Sequence, residues 1–121
     1  MKTKRNLFLI LFLSFAITMC SQTKKNIDSI NNIPFAKKLE KAKTLNNLFL
    51  LNVKNAKKIN YLLGEAESYS NLSLIYYYQG KYENDLQYSL KAILIFERLK
   101  NFEKLASELA ELGYRMKNRN L

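Results

Sequence analysis

Aromatic, small and turn-forming residues recur at fixed spacings between Tyr69 and Ala92, and this pattern constrains the fold more than any other part of the chain. Tyr69 and Tyr76 lie seven residues apart on one side of a predicted helix, with the small Ser73 between them. Gly80 follows, where the absence of a side chain allows a positive φ. Ala92 falls in a second predicted helix. The pattern predicts two antiparallel helices in close contact.

The same residues resemble the tetratricopeptide repeat family when Ala66 is taken as the first position of a unit. The residues that fit its first helix, its turn and its second helix are, in chain order, Tyr69, Leu72, Ser73, Tyr76, Gly80, Tyr82 and Ala92. At three positions the family has Ala, Phe and Pro, where this chain has Asp85, Ser89 and Glu97. Asp85 departs most, because the family uses a small apolar residue there to let the helices approach.

Two further copies extend the resemblance from Pro34 to the C-terminus. Forty residues later, the matching positions are Leu109, Leu112, Gly113 and Met116. Thirty-three residues earlier, Leu72, Gly80, Tyr82 and Ala92 correspond to Leu39, Asn47, Phe49 and Ile59. The resemblance implies an all-α fold over residues 34–121, with antiparallel helix pairs stacked as a short α-solenoid of about two and a half units. The last repeat is expected to be incomplete, with its exposed helix covered by other repeats or by another subunit.

Apolar residues at helical spacing predict five helices in this region, and no segment shows useful strand-like alternation. The first helix begins near Pro34, and its apolar stripe comprises Phe35, Leu39 and Ala42. The other four are expected over residues 48–60, 65–79, 83–99 and 101–116. Asn46 and Asn47 are expected to separate the first two helices, and Gly64 to supply the left-handed backbone that ends the second.

The first twenty residues are typical of a bacterial secretory signal. Lys2, Lys4 and Arg5 precede a thirteen-residue apolar run from Leu7 to Met19, and Cys20 follows. A membrane-spanning helix needs roughly 20 apolar residues, so permanent spanning is the weaker interpretation. Residues 21–33 are polar and are predicted to form a flexible linker.

Cys20, the only cysteine, occupies the position that a lipoprotein signal acylates. Ile17, Thr18 and Met19 complete a segment that resembles a lipobox, although Met19 is bulkier than the residue usual there. Two outcomes stay open for this position. Either Cys20 is lipidated and becomes the new N-terminus, or an ordinary peptidase cleaves nearby and Cys20 is discarded or left as a free thiol.

The charge balance is basic and limits the class of partner. Three of the 20 basic residues and none of the 10 acidic residues lie in the first twenty, so the rest of the chain carries a net charge of +7. Such a balance suits an anionic membrane surface, nucleic acid or an acidic peptide, and it equally describes solvated helix faces. Scattered lysine pairs favour solvated faces, and export argues against nucleic acid.

Nothing in the sequence indicates an enzyme. The chain has no histidine, its single cysteine lies in the signal, and its three glycines are too far apart to form a phosphate-binding loop. We therefore predict no catalytic, cofactor-binding or metal-binding residues.

The family resemblance implies a concave groove lined by the first helix of each pair. Carried over by position, the groove residues are Glu67, Ser70, Leu74, Tyr77 and Tyr78 in one unit and Ser107, Ala110, Tyr114, Lys117 and Asn118 in the next. The tyrosines are the best candidates, because tyrosine combines a large contact area with a hydroxyl group at low entropic cost. Alternatively, some of these rings only cover the helix pair.

These observations predict an exported interaction module that binds a protein or peptide in its groove and no nucleic acid. It would be periplasmic or anchored to a bacterial membrane through its signal or a lipid. Two alternatives remain open. The chain resembles the N-terminal sensor segment of signalling proteins in which such repeats precede a histidine kinase or a transcriptional regulator, here truncated. It also fits a cationic membrane-surface protein.

Overall fold

The computed structural model describes residues 2–34, 37 and 42–119, and these residues are helical, without strands. The all-α prediction is confirmed for this part of the chain. The five described helices are α1 (Lys2–Asn31), α2 (Ala42–Lys58), α3 (Leu62–Tyr78), α4 (Tyr82–Arg98) and α5 (Phe102–Lys117). Helix α1 contacts α2 and α3, and from α2 onward each helix packs against the next.

Three turns of the same geometry join the last four helices, at twenty-residue intervals. Each contains one residue with positive φ: Asn60 at 55°, Gly80 at 74° and Lys100 at 55°. The amide that follows donates to a carbonyl oxygen five residues earlier, as in Tyr61 to Ala56 at 2.8 Å. A helix pair therefore repeats every forty residues, which agrees with the forty-residue step in the sequence.

The structure corrects the predicted register of the first copy. Asn46 and Asn47 lie inside α2, so they do not separate two helices, and Asn47 does not correspond to the turn residue Gly80. The forty-residue period replaces the thirty-three-residue one. Gly64 is buried inside α3, and the left-handed residue at this turn is Asn60. Phe35 and Leu39, expected in the first predicted helix, lie outside the described residues.

The predicted flexible linker is also corrected, because α1 continues without interruption to Asn31. Its last turns are anchored in the core. Ile27 is 1% exposed, and its carbonyl oxygen accepts a hydrogen bond of 3.2 Å from Nδ2 of the Asn52 side chain. The buried Asn31 side chain donates to the carbonyl oxygen of Gly64 at 3.2 Å. These buried contacts hold residues that a polar composition alone assigned to a spacer.

Residues 7–19 of α1 are predominantly apolar and exposed. Leu7, Phe12 and Ile17 are each more than half exposed, as is Met19. The segment Thr3–Asn31 is long and apolar enough to cross a membrane, and N-terminal signal sequences meet the same criterion. Cys20 is exposed and has a free thiol.

The core lies where α3 packs between α2 and α4. Tyr69 and Tyr76 are buried on α3, and both rings stack on Tyr88 of α4, with centroids 5.8 and 5.4 Å away. Ser73 and Ala92 are fully buried. The residues that carry the sequence pattern therefore pack between helices, as predicted, and Gly80 has the positive φ expected of it.

Gly64 permits the close approach of α1 to α3, and this explains why a helix interior contains glycine. A Cβ there would overlap the ring of Tyr61 and lie 2.9 Å from Cγ2 of Ile27. We expect Gly64→Ala to lower the free energy of unfolding by about 1–3 kcal/mol, although the same change in an open helix normally stabilises by about 1 kcal/mol. Urea unfolding followed by circular dichroism measures the change.

Gly113→Ala is the matched control, because a Cβ at this helical position meets open space. It should leave stability unchanged or raise it by up to about 1 kcal/mol. Equal stability of the two variants would contradict close packing at Gly64.

Candidate functional site

Helices α3 and α5 together line a cavity of about 450 Å³. Their C-terminal halves lie side by side, and most of the lining is aromatic or aliphatic. The lining residues are Leu74, Tyr77, Tyr78, Ala110, Glu111, Tyr114 and Arg115. We call this space the tyrosine cavity. Its form suits an apolar group that also meets a few polar atoms.

The three tyrosines are presented to solvent rather than packed away. Tyr78 is 51% exposed and Tyr114 is 69% exposed. The ring of Tyr77 contacts that of Tyr78 edge to face at 5.3 Å, and its hydroxyl donates to the carbonyl oxygen of Asn118 at 3.2 Å. Partial burial, together with the neighbouring tyrosines, raises the pKa of the Tyr77 hydroxyl above its ordinary value. Large apolar area and hydroxyl groups are thus available at one place.

A second, polar cleft of about 230 Å³ lies beside the tyrosine cavity, and Glu111 lines both. Lys104 Nζ bridges to Glu67 Oε1 across this cleft at 2.9 Å. The lining comes from α1, α3, α4 and α5, namely Asn31, Asn32, Glu67, Ser70, Asn71, Phe96, Lys104, Ser107, Glu108 and Glu111. The polar cleft and the tyrosine cavity form one continuous surface over α3 and α5.

The predicted groove residues divide between these two spaces. Those that line the tyrosine cavity are Leu74, Tyr77, Tyr78, Ala110 and Tyr114. Those that line the polar cleft are Glu67, Ser70 and Ser107. Asn118 borders another cavity with Tyr77 and Tyr78, whereas Lys117 is exposed on the last turn of α5 and lines none of these spaces. Their role in binding stays a prediction.

A buried arginine forms the floor beneath this surface. Arg115 is 3% exposed, and its Nε donates to both carboxylate oxygens of Asp85, at 3.1 and 3.3 Å. Its Nη2 donates to the hydroxyl oxygens of Ser89 at 2.7 Å and Ser73 at 3.2 Å. One side chain of α5 therefore joins α3 and α4 through charge-assisted hydrogen bonds.

Glu108 adds a second buried carboxylate to the cluster. It is 3% exposed, its Oε2 accepts from the hydroxyl of Ser70, and its Oε1 lies 3.6 Å from Nη2 of Arg115. Burial raises the pKa of Glu108, against the opposing effects of Ser70 and Arg115. Its Oε1 accepts no hydrogen bond within the described part of the chain. This oxygen is itself buried and faces Arg115, so the charge of Glu108 is balanced within the cluster.

Asp85 and Ser89 depart from the family pattern, and the structure shows why both positions are polar. They lie on the buried side of α4 with Ala92 and Phe96, where every residue is covered. Polar residues four apart on an apolar stripe are a signal that a partner is buried with them. The partner, Arg115, is 30 residues away from Asp85, so no local pattern could identify it.

The forty-residue period relates this ionic cluster to an apolar one. Asp85, Ser89 and Arg115 occupy the positions of Leu45, Phe49 and Ile75, which belong to the buried hydrophobic core between α2 and α3. The contact between α2 and α3 and the contact between α4 and α5 therefore have the same spacing along the chain. The first is apolar inside, and the second is ionic.

Comparison of the chain with protein-family models, with curated proteins and with solved structures gives no match. The tetratricopeptide resemblance therefore rests on the sequence pattern alone and stays a prediction. Among the described residues, no group of three or more acidic or cysteine side chains is arranged to hold a metal ion.

We expect Arg115→Leu to lower the free energy of unfolding by about 3–5 kcal/mol, because it leaves the buried Asp85 carboxylate without its counter-ion. Adding Asp85→Leu should recover at least half of that loss, since the second change removes the unpaired charge. Urea denaturation of the single and double variants gives the coupling energy.

Arg98→Leu makes the same chemical change at an exposed position of α4. It should change stability by less than about 0.5 kcal/mol. If the stability lost in the double variant equalled the sum of the losses in Arg115→Leu and Asp85→Leu, the two side chains would not be coupled.

Proposed function

We propose that this protein is an exported tetratricopeptide-like interaction module that binds an extended protein or peptide segment across α3 and α5. The observation that carries this proposal is the convergence of Tyr77, Tyr78 and Tyr114 from two helices on one cavity. Tyrosine is enriched where binding energy is concentrated, because its ring and hydroxyl are both used at little entropic cost.

The two neighbouring spaces favour a particular kind of segment. An apolar or aromatic side chain of the ligand would enter the tyrosine cavity. The next part of the ligand would reach the polar cleft, where the half-exposed carboxylate of Glu111 favours a hydrogen-bond donor or a basic group. The overall basic charge of the chain does not oppose this, because screening limits charge effects to about 8 Å at physiological salt.

The forty-residue period supports the solenoid interpretation within this proposal. The pair formed by α3 and α4 is followed by α5 at the spacing of a further first helix. First helices α3 and α5 then lie side by side, which is the arrangement that gives stacked helix pairs a concave binding surface.

Export and membrane association form part of the same proposal and rest on the exposed apolar segment of α1. Basic residues precede this segment, and the body of the protein follows it. If Cys20 were acylated, Ile27 in the core would lie only about 10 Å further along the helix at 1.5 Å per residue. The binding surface would then be held close to the membrane.

Mass spectrometry of the N-terminal peptide from fractionated cells tests export. We expect a mature protein that begins at or near Cys20 in the membrane or periplasmic fraction, with an added acyl mass if Cys20 is lipidated. Recovery of the uncleaved N-terminal segment in the cytosolic fraction would refute this part of the proposal.

Selection of a random displayed peptide library on the full chain in detergent tests binding. We expect the enriched peptides to share an apolar or aromatic residue, and the double change Tyr77→Ala and Tyr78→Ala to weaken their affinity at least tenfold, about 1.4 kcal/mol. Fluorescence polarisation measures affinity, and circular dichroism checks helicity.

The matched control replaces Leu90 and Leu94, two exposed apolar residues of α4 that do not line the cavity, by alanine. This variant should bind within about twofold of the unmodified chain. Failure to enrich any peptide, or an equal loss in both double variants, would move the site away from the tyrosine cavity.

A further inference from the structure

Helix α5 carries an apolar stripe that no other described helix covers. Phe102, Leu109 and Met116 are 67%, 51% and 48% exposed, and residues seven apart differ in direction by only about 20° around a helix. The small residues Ala106 and Gly113 lie between them and are also exposed. We call these five residues the α5 stripe.

The corresponding positions of α3 are its packing positions. Forty residues earlier, the α5 stripe becomes Leu62, Ala66, Tyr69, Ser73 and Tyr76, of which the last four are buried. The ring of Tyr88 from α4 stacks on both tyrosines of this set. The α5 stripe is therefore the face with which this unit receives another helix.

The order of large and small residues in the stripe is symmetric about Leu109. Phe102 and Met116 lie seven residues on either side, and Ala106 and Gly113 lie three residues before and four after. Two copies of α5 that cross antiparallel at Leu109 would place Ala106 opposite Gly113 of the second copy. Small residues at facing positions let two helix backbones approach closely.

Two opposite charges at the edge of the stripe lie at nearly equal distances from Leu109. Glu103 and Lys117 are exposed on one flank of the stripe, six residues before Leu109 and eight after it. In an antiparallel pair, Glu103 of each copy faces Lys117 of the other, which gives two attractive contacts. A parallel two-fold pair would instead place the charged flanks of the two copies on opposite sides of the interface, so neither contact would form.

We propose that a second copy of this chain covers the α5 stripe and forms a two-fold symmetric, antiparallel dimer through α5. The inference does not depend on peptide binding, because Ala110 and Tyr114 line the tyrosine cavity on another side of α5. One pair of sixteen-residue helices is smaller than a standard interface of about 1,600 Å². The dimer therefore exchanges, and a covalent trap is the suitable probe.

The test uses the full chain in detergent with Cys20→Ser, which removes the native thiol. Leu109→Cys places a new thiol on the two-fold axis, and we expect oxidation to give a disulfide-linked dimer. Ser107→Cys, exposed two residues away on a different side of α5, is the control for chance encounters in the micelle. Its dimer yield should be at least fivefold lower.

Charge reversal tests the antiparallel arrangement in the same Leu109→Cys background. Glu103→Lys alone and Lys117→Glu alone should each reduce the yield of linked dimer, since each sets like charges opposite each other. The combined variant should restore the yield, and so should a mixture of the two single variants. Circular dichroism confirms that all of them stay helical.

Two results would overturn the proposal. Equal linking of Leu109→Cys and Ser107→Cys would mean that no second copy covers the stripe, and would leave it to a different chain. Efficient linking at Leu109 with the same dimer yield in all three charge variants would exclude the antiparallel register. The double change Tyr77→Ala and Tyr78→Ala should weaken peptide binding and leave the linking yield unchanged. The peptide-binding proposal and the dimer proposal can therefore fail independently.

Discussion

The guanidinium of Arg115 and the carboxylate of Asp85 form the contact on which the second half of the protein depends. Both side chains are buried, Ser73 and Ser89 accept from Nη2 of Arg115, and Ser89 also donates to Asp85. Burial of separate charges would cost several kcal/mol each, so the pair is stable only when both are present and well oriented. This requirement fixes how α5 sits against α3 and α4, and hence the shape of the tyrosine cavity above it.

The protein obtains a rigid surface from this arrangement without a large apolar core at its C-terminal end. Leu112 is buried beside the ionic cluster, but Leu109 and Met116 are about half exposed. Hydrogen bonds with defined directions therefore replace apolar packing at the junction between α4 and α5. Directional contacts orient Glu108 as well, and this places its carboxylate at the wall of the polar cleft.

Local sequence patterns account for most of α3, α4 and α5. Apolar spacing and Gly80 predicted their boundaries to within about three residues, because stripe and turn are encoded over short distances. The positions carried over from the family resemblance placed Leu74, Tyr77 and Tyr114 in one groove, and these residues share the tyrosine cavity. Local turn tendency failed at Asn46, Asn47 and Gly64, where packing overrides the tendency to break a helix. Local patterns could not predict the pairing of Asp85 with Arg115 or the anchoring of Ile27, since both join distant parts of the chain.

The turns recur every twenty residues, and this has a consequence for how such a chain can grow by duplication. A gene segment encoding residues 62–101 could be copied in place without disturbing the backbone, because every turn has the same geometry. The copied unit would not fit the buried residues of the unit before it. Ile75 of the inserted unit would face Asp85 and leave a buried carboxylate unpaired. The buried residues between successive helix pairs therefore determine the order of the units, whereas the turns are interchangeable.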